Sequence, residues 1–301
     1  MDRNVSNGAS STVKIGAVFS ILVAGCCLFG ALVVLWLRWV QEHSIPVSLP
    51  AFTEASIVPG LLPTATNPPT STLEPTPSTT QANPQPLPPI PADAAVILFH
   101  GDRSSNQIAL TFDACETEGD SEASFDTEIA RILVETQTPA TIFLGGLWMR
   151  DHPEETKYLA SQPIFDLGNH SWSHLDFASI TTEEMKREIE KTQETMWELI
   201  GRQAHFFRFP FGTYNEQALV AVRQAGMYAV QWDVVSGDPD PNIDAGRMIE
   251  AVVREAQPGS IIIMHINGRG WHTAEALPEI IRQLQEKGFE FVTVSELLGL
   301  D

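Results

Sequence analysis

Cysteine is nearly absent: of three in 301 residues, Cys26 and Cys27 are adjacent near the N-terminus and Cys115 is alone in the remainder. No disulfide can close within residues 94–301, so whatever folds there rests on an apolar core. Positive charge is also scarce, with 18 Lys and Arg against 38 Asp and Glu and a formal net charge of -20. The acidic excess falls almost wholly after residue 93, which argues against nucleic acid or anionic lipid headgroups as partners. It identifies no substrate, since an acidic solvated face is the ordinary outcome of such a composition. No Gly-x-Gly-x-x-Gly follows the first strand-like run, which removes the main signature of a dinucleotide-binding sheet. There is no internal repeat.

Residues 41–93 lack Lys and Arg and nearly lack apolar periodicity, yet they hold 13 of the 21 prolines together with many Thr and Ser. Such a stretch buries too little apolar surface to offset chain entropy and is expected as an extended spacer. Before it, residues 15–37 form a long apolar run between Lys14 and Arg38. At ~1.5 Å rise per residue, a helix of that length crosses a ~30 Å hydrocarbon layer. The chain is therefore expected to divide into a cytoplasmic tail at 1–14, a single-pass transmembrane anchor at 15–37, a Pro/Thr-rich disordered stalk at 38–93 and one globular domain at 94–301. That domain is expected outside the cytoplasm, tethered to the cell membrane. Val23-Ala24-Gly25-Cys26 offers a second route to the same place, a lipoprotein-processing box with Cys26 acylated. The apolar run continuing through Leu37 favours the uncleaved anchor. No obligate protein partner is evident.

Beyond residue 93 the chain alternates strand-like and helix-like segments, the pattern of β/α units on a largely parallel sheet. Strands are expected at 95–99, 108–112, 140–144, 164–167, 205–209, 228–231, 260–264 and 289–294. Amphipathic helices are expected at 127–136, 151–160, 182–200, 216–225, 245–256 and 274–287. Thr181-Thr182-Glu183-Glu184 is a capping signal for the longest helix, and Gly226 and Gly288 stop two others. Seven or eight strands in this length predict an α/β fold, a distorted or incomplete (β/α) barrel.

Polar groups cluster at the ends of the strand-like runs, where parallel α/β folds gather their chemistry. His170 and His174 lie four apart in Gly168-Asn169-His170-Ser171-Trp172-Ser173-His174, a turn-rich run in which two imidazoles can close on one metal ion. Upstream, Leu110-Thr111-Phe112-Asp113 ends in a carboxylate. Downstream lie Arg208-Phe209-Pro210-Phe211-Gly212, Trp232-Asp233-Val234-Val235-Ser236-Gly237-Asp238 and Ile261-Ile262-Ile263-Met264-His265. Trp172, Trp232 and Trp271 are candidate walls on which a sugar ring would stack.

Together these motifs resemble the polysaccharide deacetylase (NodB-homology) family of carbohydrate esterases over residues 94–301. The resemblance implies a role for each. Asp113 is the general base, His170 and His174 bind a divalent metal, most commonly zinc, and Arg208 orients Asp113. The backbone near Phe211 and Gly212 faces the oxyanion, Asp238 supports a catalytic His, and His265 is the general acid. A metal ion lowers the pKa of a water, and a general acid is needed because an amine leaves poorly. Trp172 and Trp232 are expected at the substrate. The resemblance implies removal of acetyl groups from an N- or O-acetylated polysaccharide, with a cell-wall or surface glycan as the expected partner.

Two departures stand out. Pro239 replaces the family's usual Trp after Asp238, and Asp113-Ala114-Cys115-Glu116-Thr117-Glu118-Gly119-Asp120 replaces its Asp-Asp-Gly-Pro, so the usual third metal ligand is missing at Ala114. A branch with Asp-Ala-Cys, His-x-Asn (His265-Ile266-Asn267) and Thr-Ala-Glu (Thr273-Ala274-Glu275) is the nearest match. A loop carboxylate is expected to complete the site, with Glu116 ahead of Glu118 and Asp120. Competing readings are a wall-glycan binding domain that has lost activity and an amidase acting on a non-sugar C–N bond. Keeping both Asp113 and His265 disfavours the first, because a pure binder needs neither.

Overall fold

The computed structural model describes Ile90 and residues 97–120 and 123–300. The anchor expected at 15–37, the stalk at 38–93 apart from Ile90, and the alternative acylation site Cys26 lie outside these residues. Among the described residues no helix is long and apolar enough to cross a membrane.

Among the described residues nine strands alternate with helices. They are β1 (Ile97–Leu98), β2 (Gln107–Ala114), β3 (Ala140–Leu144), β4 (Phe165–Asn169), β5 (Phe206–Phe207), β6 (Tyr228–Val230), β7 (Val234–Val235), β8 (Ile261–His265) and β9 (Glu290–Phe291). The sheet runs β1-β6-β5-β4-β3-β2-β8-β7, with β9 on the β2 flank, and every strand pairing is parallel. One antiparallel bridge, His100 to Ser260, ties the segment after β1 to the start of β8. This is the incomplete barrel expected from the sequence, with one strand more than foreseen. The addition is β7, two residues inside the fourth motif, too short to carry a periodic signal.

The helices are α1 (Thr127–Glu135), α2 (Gly146–Asp151), α3 (Pro153–Ser161), α4 (Thr182–Ile200), α5 (Glu216–Gln224), α6 (Ala245–Glu255), α7 (Thr273–Glu286) and α8 (Val294–Leu298). The helix foreseen at 151–160 is α3, which starts at Pro153, a residue that can start a helix but not continue one, and the unforeseen α2 precedes it and ends at Asp151. The last expected strand stops at Phe291. Thr293 then caps α8 through a reciprocal pair with Glu296. The box read in the sequence at α4 is present, Thr181 with Glu184, and Gly201 closes that helix in the left-handed region.

Strand alternation decides which residues reach the site. Ile108, Leu110, Phe112 and Ala114 of β2 belong to the large core shared with the helices. Ala109 lies in a smaller core with Phe143, Phe206, Val230, Ile261 and Leu297. With a period of two, Thr111 and Asp113 face the same way as Ala109, into the concave side. A carboxylate at 113 therefore stands at the inner rim, where β2 ends.

Candidate active site

Because the strands are all parallel, their C-terminal ends share one rim. Asp113 closes β2, His170 follows β4, Arg208 follows β5, Asp238 follows β7 and His265 closes β8. The register of β2 on β8 sets Asp113 directly beside His265. A cavity of about 320 Å³ opens there, and Asp113, His170, His174, Phe211, Trp232, Asp238 and His265 all line it, with Cys115 and Arg269.

Arg208 is the cavity's buried support. Its side chain is fully buried, and its guanidinium lies 3.9 Å from the centre of the Phe143 ring and 5.5 Å from that of Trp232. Nη1 donates to Asp113 Oδ1 at 2.8 Å, while Nε and Nη2 donate to the carbonyls of Val230 and Gln231 at 3.3 and 3.2 Å. Burial pushes the Asp113 carboxyl up, but His170, Arg208 and His265 together outweigh it and hold the group below the usual carboxylate range.

The two histidines of the turn are set by their neighbours. His170 Nδ1 lies 2.9 Å from the Arg208 carbonyl, which can only accept, so Nδ1 carries the proton and Nε2 presents its lone pair 3.4 Å from Asp113 Oδ2. Ser171 and His174 both hold positive φ, 65° and 57°, in a region unusual for side-chain-bearing residues. The strain is held by Asn169, whose Oδ1 accepts the Ser171 N–H at 2.9 Å, and by Glu188 of α4, which accepts the Ser173 N–H and hydroxyl at 2.7 Å each. The rings of His170 and His174 stand 5.0 Å apart. Burial depresses both imidazoles, His174 to about 3 with help from His170, so both lone pairs are free to bind a cation.

His265 is arranged differently. Its Nδ1 donates to Asp238 Oδ1 at 2.9 Å and its backbone N–H to Oδ2 at 2.6 Å, which aims Nε2 into the cavity. Ser236 and Thr273 hydroxyls complete the four donors around the fully buried Asp238. Burial lowers the imidazole, yet the Asp238 bond and charge more than reverse this, leaving His265 raised. Pro239, the departure beside Asp238, lines the cavity and leaves that bond intact. A Cβ at Gly270 would sit 2.3 Å from the His265 carbonyl, so only glycine lets the following loop close over the pair.

Phe211 holds φ 58° in the short 3₁₀ turn Pro210–Gly212 and leaves its ring 65% exposed at the cavity mouth. The Gly212 N–H is taken by the Phe209 carbonyl at 3.1 Å, whereas among the described residues no backbone carbonyl accepts that of Phe211. Gly212 packs under Trp232, where an added Cβ would come within 2.9 Å of the indole.

Two expected site residues lie elsewhere. Trp172 packs on Gly146 at the start of α2, with Lys191 Nζ 3.7 Å from its ring centre, so it is a packing residue beside the histidine turn and not a cavity wall. Glu116 is turned away to Asp151 at the end of α2. Burial and that neighbouring carboxylate raise it to about 7, and it does not line the cavity. Asp120 is paired with Arg269. The donors that come together are Cys115 Sγ and the ring nitrogens of His170 and His174, all within 4.8 Å of one another. Two neutral imidazoles, a thiol and the nearby Asp113 carboxylate fit a divalent cation of intermediate softness. Cys115, Asn267 and Glu188 had gone unassigned in the sequence. The available signals were a polar residue inside the apolar stripe of α4 and a Cys two residues after Asp113.

A sequence model of the polysaccharide deacetylase family matches residues 100–230. A peptidoglycan-N-acetylglucosamine deacetylase of Bacillus cereus is 31% identical over 202 residues, 66% of this chain and 70% of that protein. The chain belongs to the polysaccharide deacetylase family. Within it, the peptidoglycan-N-acetylmuramic acid deacetylase PdaA of Bacillus subtilis is 26% identical over 203 residues, 66% of this chain and 74% of that protein. The crystal structure of the Bc1960 peptidoglycan N-acetylglucosamine deacetylase superposes with a TM-score of 0.63 at 29% identity, covering 68% of this chain and 94% of that one. The parallel, incompletely closed barrel and its rim site are thus the deacetylase fold.

Proposed function

We propose that this protein is a metal-dependent hydrolase that removes acetyl groups from an N-acetylated cell-wall polysaccharide at the outer face of the membrane. One observation carries the reading. An ionised carboxylate on an arginine, a proton-bearing imidazole on a buried aspartate and a pair of neutral imidazoles all open on one cavity.

His170 and His174 would hold a divalent cation, zinc being the best fit to their donors, and when bound it would supply Lewis acidity. Asp113 then accepts the water's proton at Oδ2, because Oδ1 is held by Arg208. His265 gives the proton on Nε2 to the departing nitrogen, and Asp238 stabilises the imidazolium beforehand. General acid and base groups so placed contribute roughly 10²–10⁴-fold each. The Phe211 N–H, fixed by its strained backbone, is the donor for the acyl oxygen as it gains charge, a contribution of about 10²–10³-fold in comparable sites.

The open mouth suits a polymer. Phe211 is exposed beside Trp232 in the cavity lining, a broad apolar face of the kind a pyranose covers. Both relatives named above bear peptidoglycan deacetylase names. The anchor at 15–37 and stalk at 38–93 would hold the site within reach of the wall, and the Asp-Ala-Cys pattern marks its branch. Acetate release from a panel of N- and O-acetylated glycans, each followed by detection of new free amines, tests the substrate class. Acetate with matching amines from peptidoglycan strands is expected, and acetate without amines would move the reading to an O-acetyl esterase.

A further inference from the structure

We propose that Cys115 is the third protein ligand of the metal, replacing the carboxylate missing at Ala114, and that Asn267 is the residue that positions its sulfur. The proposal rests on the metal-dependent reading above and adds the identity of the donor.

Geometry carries it. Sγ of Cys115 lies with the ring nitrogens of His170 and His174 inside one 4.8 Å group and lines the same cavity as Asp113. His170 presents Nε2 because its Nδ1 is committed to the Arg208 carbonyl, and no protein group among the described residues hydrogen-bonds the His174 ring. Both imidazoles therefore lie beside the sulfur, with His170 Nε2 also 3.4 Å from Asp113 Oδ2. Asp113 Oδ1 is held by Arg208, Asp120 is paired with Arg269, and neither Glu116 nor Glu118 lines the cavity.

The second observation is the hold on the cysteine. Asn267, fully buried, donates Nδ2 to the Cys115 carbonyl at 2.7 Å and to Sγ at 3.2 Å. A donor aimed at the sulfur fixes its direction, as the outer partners of metal ligands do. The same contact joins two features of the branch, Asp-Ala-Cys and His-x-Asn, into one structure. A cysteine that merely filled the core would need no such partner. On binding, the metal–sulfur bond forms as the S–H bond breaks, and the proton leaves to solvent with no change in oxidation state. A thiolate beside two imidazoles selects zinc or cobalt over magnesium, calcium or manganese, which prefer oxygen donors.

The test uses the full-length chain in a Cys26→Ser, Cys27→Ser background, so that Cys115 is the remaining thiol. The metal-free protein is titrated with Co²⁺. An intense sulfur-to-cobalt charge-transfer band in the near ultraviolet, appearing at one equivalent, is the expected result. Cys115→Asp should keep a bound ion and lose the band. Cys115→Ala should weaken Zn²⁺ binding, read by competition with a chromogenic chelator, at least about a hundredfold. Asn267→Ala should shift the band and weaken binding less, whereas Glu116→Ala should leave both unchanged. Stoichiometric, His170-dependent Co²⁺ binding without a sulfur band would overturn the proposal while sparing the metal-dependent reading. Failure of the unmutated protein to bind Co²⁺ or Zn²⁺, together with chelator-insensitive acetate release, would overturn both.

Discussion

Replacing Asp238 by Asn isolates the support of the general acid with minimal change of shape. The native carboxylate accepts four donors: His265 Nδ1–H, the His265 backbone N–H and the hydroxyls of Ser236 and Thr273. Asparagine offers one accepting oxygen. If it keeps Nδ1, the backbone N–H at 2.6 Å faces an amide hydrogen instead of an oxygen. Leaving that buried donor unsatisfied costs about 1–3 kcal/mol of stability. The lost charge acts on the proton of His265. A hydrogen bond to a charged partner is worth roughly 1.5–3 kcal/mol, and one pKa unit is 1.36 kcal/mol, so the imidazole should fall by about one to two units. The sign follows from the role. A general acid works below its pKa and fails as pH rises through it, and Asp238 raises the pKa of His265. The alkaline limb of kcat/KM should therefore lie above the ordinary imidazole range in the native protein and move to lower pH in the variant. Activity should recover in part on acidification. A pH–rate series on a soluble chitooligosaccharide, beside a urea melt, measures both. A uniform loss of kcat with an unmoved alkaline limb would refute the assignment of His265 as the acid held by Asp238.

Arg208→Met should destabilise the protein by about 3–5 kcal/mol in urea, since it strands the buried Asp113 carboxylate, and the loss should shrink at a pH low enough to protonate that group. Asp113→Asn should cut kcat by roughly 10²–10⁴-fold with little change in KM or bound metal, and retention of most activity would remove Asp113 as base. Residues 94–301 expressed alone should be soluble, folded and active, while the full chain should fractionate with membranes and expose its C-terminus to external protease. Recovery of the fragment only as aggregate would move the domain boundary.

The strand ends were legible because each pairs an apolar run with one polar residue, and parallel strands deliver such residues to one rim. Asp113, His170, His174, Arg208, Asp238 and His265 were all placed by that rule together with the family pattern. What sequence could not resolve depends on side-chain direction. Trp172 and Trp232 look alike in a string, but one turns onto Gly146 and the other roofs Gly212. Glu116 was preferred as a ligand for its nearness to the strand end, yet the chain turns there and delivers it to Asp151. Cys115 and Asn267 are visible in the sequence as parts of the Asp-Ala-Cys and His-x-Asn patterns, but their contact spans 152 residues. Short elements such as β7 and α2 gave no periodic signal because each is shorter than the window in which periodicity is read.

The most direct measurement is acetate released from N-acetylated peptidoglycan strands by the purified full-length protein before chelation, after chelation and after return of one equivalent of Zn²⁺. The account predicts release, loss and recovery in that order, with free amines appearing in step with acetate and none from a His170→Ala variant under any condition. Zinc-loaded protein that binds the strands but releases no acetate, or release that persists in chelator, would contradict it.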